Sequence, residues 1–175
     1  MRFLSLAILS LIVGSLALPA QAQLRTVPYV DVASYAGSWY QIARNPLIFE
    51  GNCICSRQVL SGRSDGRIDV YNSCNDPMSG ELREIRGIAT NDDLATNARF
   101  TVDFGLPHTG QYWIIGLADD YRYAVVSDPS KLSLYILSKT PMLSEADYQE
   151  AVALAAEQMD ISRLRLTQQQ GCMYP

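Results

Sequence analysis

The stretch Tyr35-Ala-Gly-Ser-Trp-Tyr-Gln-Ile-Ala-Arg44 carries more information about the fold than any other ten residues of the chain. Gly37 permits a tight approach of backbone to backbone at the entrance of a strand. Trp39, two residues on, then has room to plug the end of a small barrel, and Tyr40 follows it. Read outward from here, short strand-like runs recur between turn signals, with no internal repeat and no linker. Asn45-Pro46 and Glu50-Gly-Asn52 break the chain into a long first loop. A hairpin over Ile54–Ser61 and Arg67–Ser73 follows, joined by the turn Gly62-Arg-Ser-Asp-Gly66. Next come Glu81–Thr90, with Gly87 marking a bend, and Arg99–Phe104, in which Phe100, Val102 and Phe104 share one face. Gln111–Leu117, Tyr121–Ser127 and Ser133–Leu137 complete the set. Strands at this spacing predict a closed antiparallel barrel, because closure removes exposed sheet edges.

One segment departs from the pattern. Ser144 followed by Asp147 is a capping box with Asp in place of the usual Glu, and Pro141 stands just upstream. Ala146, Val152, Ala155, Ala156 and Met159 approximate one helical face, so 144–159 is expected as a helix packed outside the barrel, followed by a short strand at Arg163–Thr167.

Two further blocks join the first: Asp119-Asp-Tyr-Arg-Tyr-Ala-Val-Val126 and Leu134-Tyr-Ile-Leu-Ser-Lys-Thr-Pro141. Gly-x-Trp-Tyr, an Asp-Tyr turn at Asp120-Tyr121 and a basic residue, Lys139, after a late strand fall in order. Together they resemble the lipocalin family, nearest its bacterial members and the apolipoprotein D branch, over essentially everything after the leader. The resemblance implies an all-β fold: an eight-stranded antiparallel up-and-down barrel, hollow as a calyx, with one C-terminal α-helix. A ten-stranded fatty-acid-binding barrel places its two helices early and lacks such a tail. In most lipocalins an Arg stacks across the Trp at the closed end. Here Lys139 holds that position, which turns a planar guanidinium stack into a point-charge contact with Trp39 worth about 0.5–1 kcal/mol. Gly37, Trp39, Tyr40, Asp120, Tyr121 and Lys139 are accordingly assigned to structure.

Residues 1–22 read as a cleaved signal peptide: Arg2, an apolar stretch Phe3–Leu18, and Ala20-Gln-Ala22 ahead of Gln23. The apolar run is short for a bilayer span and no stop-transfer charges follow. Removing 22 of the 175 residues leaves 153, one lipocalin domain over 23–175. Bacterial relatives are often lipoproteins acylated on a Cys at the cleavage point, but no Cys precedes Cys53. The expectation is therefore a protein of the periplasm or the extracellular space with no stable membrane anchor. The net charge of −4 disfavours nucleic acid and anionic membrane surfaces as partners, and a single His gives little for proton transfer or metal binding.

The cysteines Cys53, Cys55, Cys74 and Cys172 are even in number and exported, which reads as two disulfides. A turn closing Gly62 onto Arg67 sets a register whose paired residue numbers sum to 129, and Cys55 with Cys74 satisfies it. Cys53 lies one pair further out on the same face. That predicts Cys55–Cys74 and leaves Cys53–Cys172, a strand-to-C-terminus bridge like that of apolipoprotein D. A redox or metal motif at Cys53-Ile-Cys55 is disfavoured by its one-residue spacing and the lack of a nearby His.

No active-site pattern is present: no phosphate loop, no nucleophile elbow, no metal spacing, and so no catalytic residue, cofactor or metal is expected. His108 and the pair Asp119-Asp120 read as solvated turn residues. What the sequence offers is apolar lining. The resemblance places Trp113 and Tyr135 where the apolipoprotein D branch has tryptophans facing its pocket, with Tyr135 adding a hydroxyl. Phe100, Val102 and Phe104 add a wall, and Phe49, in the first loop, could fold over the open end. The expected function is that of an exported carrier holding a small hydrophobic or amphipathic ligand, of the fatty acid or lysophospholipid kind, and catalysing nothing. The alternatives are a lipocalin-fold enzyme of the isomerase or de-epoxidase type, which as an isomerase would need a free cavity Cys, and a secreted partner-binding or inhibitor barrel with a filled interior.

Overall fold

A computed structural model describes residues 23–47 and 51–175. Residues 1–22, expected as a signal peptide, and Phe49 lie outside the described residues. Within them the chain forms α1 (Val32–Tyr35), β1 (Gly37–Arg44), β2 (Ile54–Gly62), β3 (Ile68–Asn75), β4 (Leu82–Asn91), β5 (Arg99–Asp103), β6 (Gly110–Leu117), β7 (Tyr123–Ser127), β8 (Leu134–Ser138), α2 (Glu145–Ala156) and β9 (Arg165–Leu166). Each strand from β2 to β7 pairs antiparallel with the next, and β1 closes the ring by pairing with β8 on one side and β2 on the other. The expected eight-stranded barrel and C-terminal helix are both found. β9 is an extra strand, which pairs with Ala43 and Arg44 where β1 has parted from β2.

Alternation of side chains divides the core in two. One cluster fills the barrel and includes Trp39, Leu60, Val70, Phe100, Val102, Ile114 and Val126. The other lies outside and packs under α2, with Ile115, Tyr123, Val125, Ile136, Ala151 and Ala155. β7, covered on both faces, is buried at all its residues. Ser144 caps α2, its side chain accepting from the Asp147 N–H and donating to the Asp147 carboxylate. Small residues allow the close approach: a Cβ at Gly116 would stand 3.1 Å from Leu154 Cδ1. The buried face is that of Ala151, Ala155 and Met159, whereas Ala146 and Ala156 are exposed.

The short helix α1 was not legible in the sequence. Asp31 caps it by accepting from Ser34 N–H, and it lies across the end of the barrel where β1 begins. Trp39, fully buried, donates from Nε1 to the Tyr35 carbonyl at 2.7 Å. Lys139 Nζ sits 4.3 Å from the Trp39 ring centroid and donates to the carbonyls of Tyr35 and Ala36, so it serves the helix end as well as the ring. Partial burial pulls its ammonium below the usual lysine range. The Tyr121 hydroxyl accepts from Asp31 N–H, tying the turn before β7 to the same closed end, and Asp120 accepts from Arg122. Tyr40 points outward, its ring edge-on to Tyr174 at 4.8 Å.

The disulfides correct the expected pairing. They are Cys53–Cys74 and Cys55–Cys172, not Cys55–Cys74 and Cys53–Cys172. The β2–β3 turn closes Gly62 onto Ile68, one residue later than expected, and the ladder holds that register as far as Arg57 opposite Ser73. Between Arg57 and Ile54 the register shifts by one residue. Cys55 occupies this bulge with φ of 56° and has left the ladder, its N–H donating instead to the Gln168 carbonyl. The bulge therefore turns Cys55 towards the C-terminal segment and leaves Cys53 to bridge Cys74.

Candidate functional site: the barrel cavity

The barrel interior holds a small cavity that is partly open to solvent. Its walls are Leu60, Ile68, Val70, Ala89, Phe100 and Val102, contributed by the inward positions of β2 to β5. Three polar side chains complete the lining: Tyr35 from the C-terminal end of α1, Gln58 from β2 and Tyr112 from β6. These three are joined to one another. The Tyr112 hydroxyl donates to Gln58 Oε1 at 3.1 Å, which leaves the Tyr112 oxygen to accept from the Tyr35 hydroxyl at 2.8 Å. The chain Tyr35–Tyr112–Gln58 thus starts at the closed end and spans the lumen from β6 to β2. Burial pushes both phenols up: Tyr35 well above the usual tyrosine range, further raised by the neighbouring Tyr112, and Tyr112 up against a small opposing effect of its bond from Tyr35. Both hydroxyls are therefore protonated donors at neutral pH.

Of the six residues expected to bind ligand, Phe100 and Val102 stand in the cavity wall. Phe104 and Tyr135 pack against the interior cluster beside it. Phe104 lies across the inner face of Gly87, where a Cβ would be 2.6 Å from its ring. Trp113 is a correction. It lies on the outer face of β6, packed against the cluster under α2 with the Arg99 guanidinium 4.6 Å above its ring. Its neighbours Tyr112 and Ile114 take the inward positions. Both faces of β6 are apolar because the helix covers the outside, so periodicity in this strand gave no sign of which side looks in. Tyr35, Gln58, Leu60, Ile68, Val70, Ala89 and Tyr112 were not anticipated. Alternation in the β2–β3 hairpin held a signal for four of them, since Gln58, Leu60, Ile68 and Val70 lie on one face.

Nothing in the cavity lining is ionised, and the lining offers no nucleophile with an adjacent base. Among the described residues no three His, Cys, Asp or Glu side chains converge on a possible metal position. His108 is exposed in the turn before β6, and Asp119 and Asp120 are exposed at the turn before β7. What the arrangement can do chemically is to take up an apolar molecule and offer it a few hydrogen-bonding groups.

Comparison with known proteins agrees with this geometry. Residues 30–169 match a family model described as a lipocalin-like domain. The outer membrane lipoprotein Blc of Escherichia coli (strain K12) is 36% identical over 142 residues, covering 81% of this chain and 80% of that protein. Apolipoprotein D of Cavia porcellus is 33% identical over 153 residues, covering 81% of this chain and 78% of that protein. Among solved structures, insecticyanin from the tobacco hornworm Manduca sexta superposes with a TM-score of 0.69 at 19% identity, covering 85% of each chain, which speaks to the fold. With a family match over most of its length and relatives above 30% identity at similar coverage, the chain belongs to the lipocalin family.

Proposed function

We propose that this protein is an exported lipocalin that carries a small hydrophobic or amphipathic molecule in its barrel and catalyses nothing. The observation that carries this reading is the cavity itself, walled by six apolar side chains and bordered by an uncharged hydrogen-bonded trio. Each methylene moved from water into such a space gains roughly 0.8 kcal/mol, which makes single-chain fatty acids and lysophospholipid-like molecules the class it suits. An ionised head group would stay at the solvent-open mouth, because the lining offers it no counter-charge. Two disulfides favour an oxidising compartment. We assign 1–22 as the removed leader and 23–175 as the mature domain, in the periplasm or outside the cell. The relative from Escherichia coli is named as a lipoprotein, but all four cysteines of this sequence are engaged in disulfides. The same pairing leaves an isomerase of the free-cysteine type without its thiol.

The test is displacement of a fluorescent apolar probe by decanoate and by a lysophospholipid. Ala89→Leu, which pushes a larger side chain into the cavity, should cost about 1–3 kcal/mol of stability yet leave a folded barrel with binding weakened at least tenfold. Trp113→Ala, on the outer face, should leave affinity within twofold. Loss of binding in Trp113→Ala with full binding in Ala89→Leu would move the ligand out of the barrel, and a wild-type protein that takes up no apolar molecule would end the carrier reading.

A further inference from the structure

Gln58 and Asn72 face each other directly across β2 and β3, two ladder pairs nearer the mouth than Leu60 and Val70. Asn72 continues the inward series Ile68, Val70, just beyond the residues that line the cavity, so both amides stand on the inner face of the barrel about 4.5–5.5 Å apart at Cβ. Neither is fully used. Asn72 Oδ1 is buried and accepts no hydrogen bond among the described residues. Gln58 spends its Oε1 on the Tyr112 hydroxyl, which leaves the Nε2 donors without a bond among the described residues. A buried acceptor without a donor is unfavourable, so a protein that keeps one on the inner face of its barrel, beside the cavity, gains when a ligand answers it.

We propose that this amide pair reads the polar group of the ligand, and that the preferred ligand is an apolar chain bearing an uncharged hydroxyl or primary amide. The proposal rests on the carrier reading and, within small amphipathic molecules, ranks a neutral head group above the carboxylate of a fatty acid. The apolar tail occupies the space between Leu60, Val70, Phe100 and Val102, towards the closed end. The hydroxyl then lies at the level of Gln58 and Asn72, where it donates to Asn72 Oδ1 and accepts from Gln58 Nε2. A carboxylate can accept from Gln58 but has no proton to give Asn72, and at that depth it would be an ion with no cation in the lining. A methyl ether of the same chain also accepts but cannot donate. Tyr112 contributes indirectly: by holding Oε1 it fixes the Gln58 amide with its N–H groups free.

The experiment compares 1-decanol, decyl methyl ether and decanoate as displacers of a fluorescent apolar probe, on the wild type and on Asn72→Leu. That substitution breaks no hydrogen bond within the described protein, so the variant should fold, and Gln58→Met provides a second, independent variant. The wild type should bind decanol roughly tenfold more tightly than the ether and the carboxylate. In Asn72→Leu the preference over the ether should fall below about threefold, with the ether bound as well as before. Equal affinity for alcohol and ether in the wild type, or a preference undiminished in both variants, would overturn the proposal while leaving the carrier reading standing. If none of the three displaces the probe, both fall.

Discussion

Replacing Cys172 with Ser should expose one identifiable thiol and cost the protein a large part of its stability. The Cys55–Cys172 bridge spans 117 residues and Cys53–Cys74 spans 21. Restricting the unfolded chain over loops of those lengths is worth about 5 and about 3 kcal/mol respectively. In the folded state the C-terminal segment keeps other ties: Thr167 N–H to the Ile42 carbonyl, Gln169 Nε2 to the carbonyls of Gln41 and Ser56, and the Tyr174 ring against Tyr40. The native structure should therefore survive the substitution while the unfolded state gains freedom. Urea unfolding monitored by circular dichroism should show a midpoint lowered by about 2.5 M, for an m-value near 2 kcal/mol per M. The double replacement Cys53→Ser with Cys74→Ser should lower it by less. Alkylation of native Cys172→Ser followed by peptide mapping should label Cys55. Label on Cys53 would refute the bulge argument, and a stability loss under 1 kcal/mol would refute the loop-entropy argument.

Two further predictions follow from the lumen. Tyr35 and Tyr112 have folded pKa values raised by burial, so folded protein holds those protons more tightly than unfolded chain; their contribution is complete below about pH 10 and is lost as pH rises above it. Lys139 acts oppositely, since its lowered pKa makes stability rise with pH up to its unfolded value, but one half-buried ammonium is outweighed by two buried phenols. Stability measured from pH 9 to 12 should fall, and Tyr112→Phe should flatten that slope; an unchanged slope would refute the assignment. Gly87→Ala should destabilise by about 1–3 kcal/mol, because the new methyl would lie 2.6 Å from Phe104 and 2.7 Å from the Asp103 carbonyl. A neutral result in thermal unfolding would show that Phe104 can swing away freely.

Local chemistry determined much of this protein from the sequence alone. Alternating apolar positions set the strands, because a half-buried strand must present one face to the core. Ser144 with Asp147 set the start of α2, because a capping side chain acts within one turn. Gly37 and Trp39 marked the closed end, since a ring of that size at a strand entrance needs a barrel end to fill. Four decisions belonged to the tertiary structure. The bulge at Cys55 is a shift of one residue within a ladder, and it reversed both disulfides although the cysteines and their hairpin were visible beforehand. The choice of Tyr112 over Trp113 for the lumen depended on α2 covering the outside of β6, which made both faces of that strand apolar. Helix α1, four residues long, has no room for a helical period. The amide pair Gln58–Asn72 became a candidate only when closure of the barrel buried it, because the same two side chains on an open hairpin would be bonded to water.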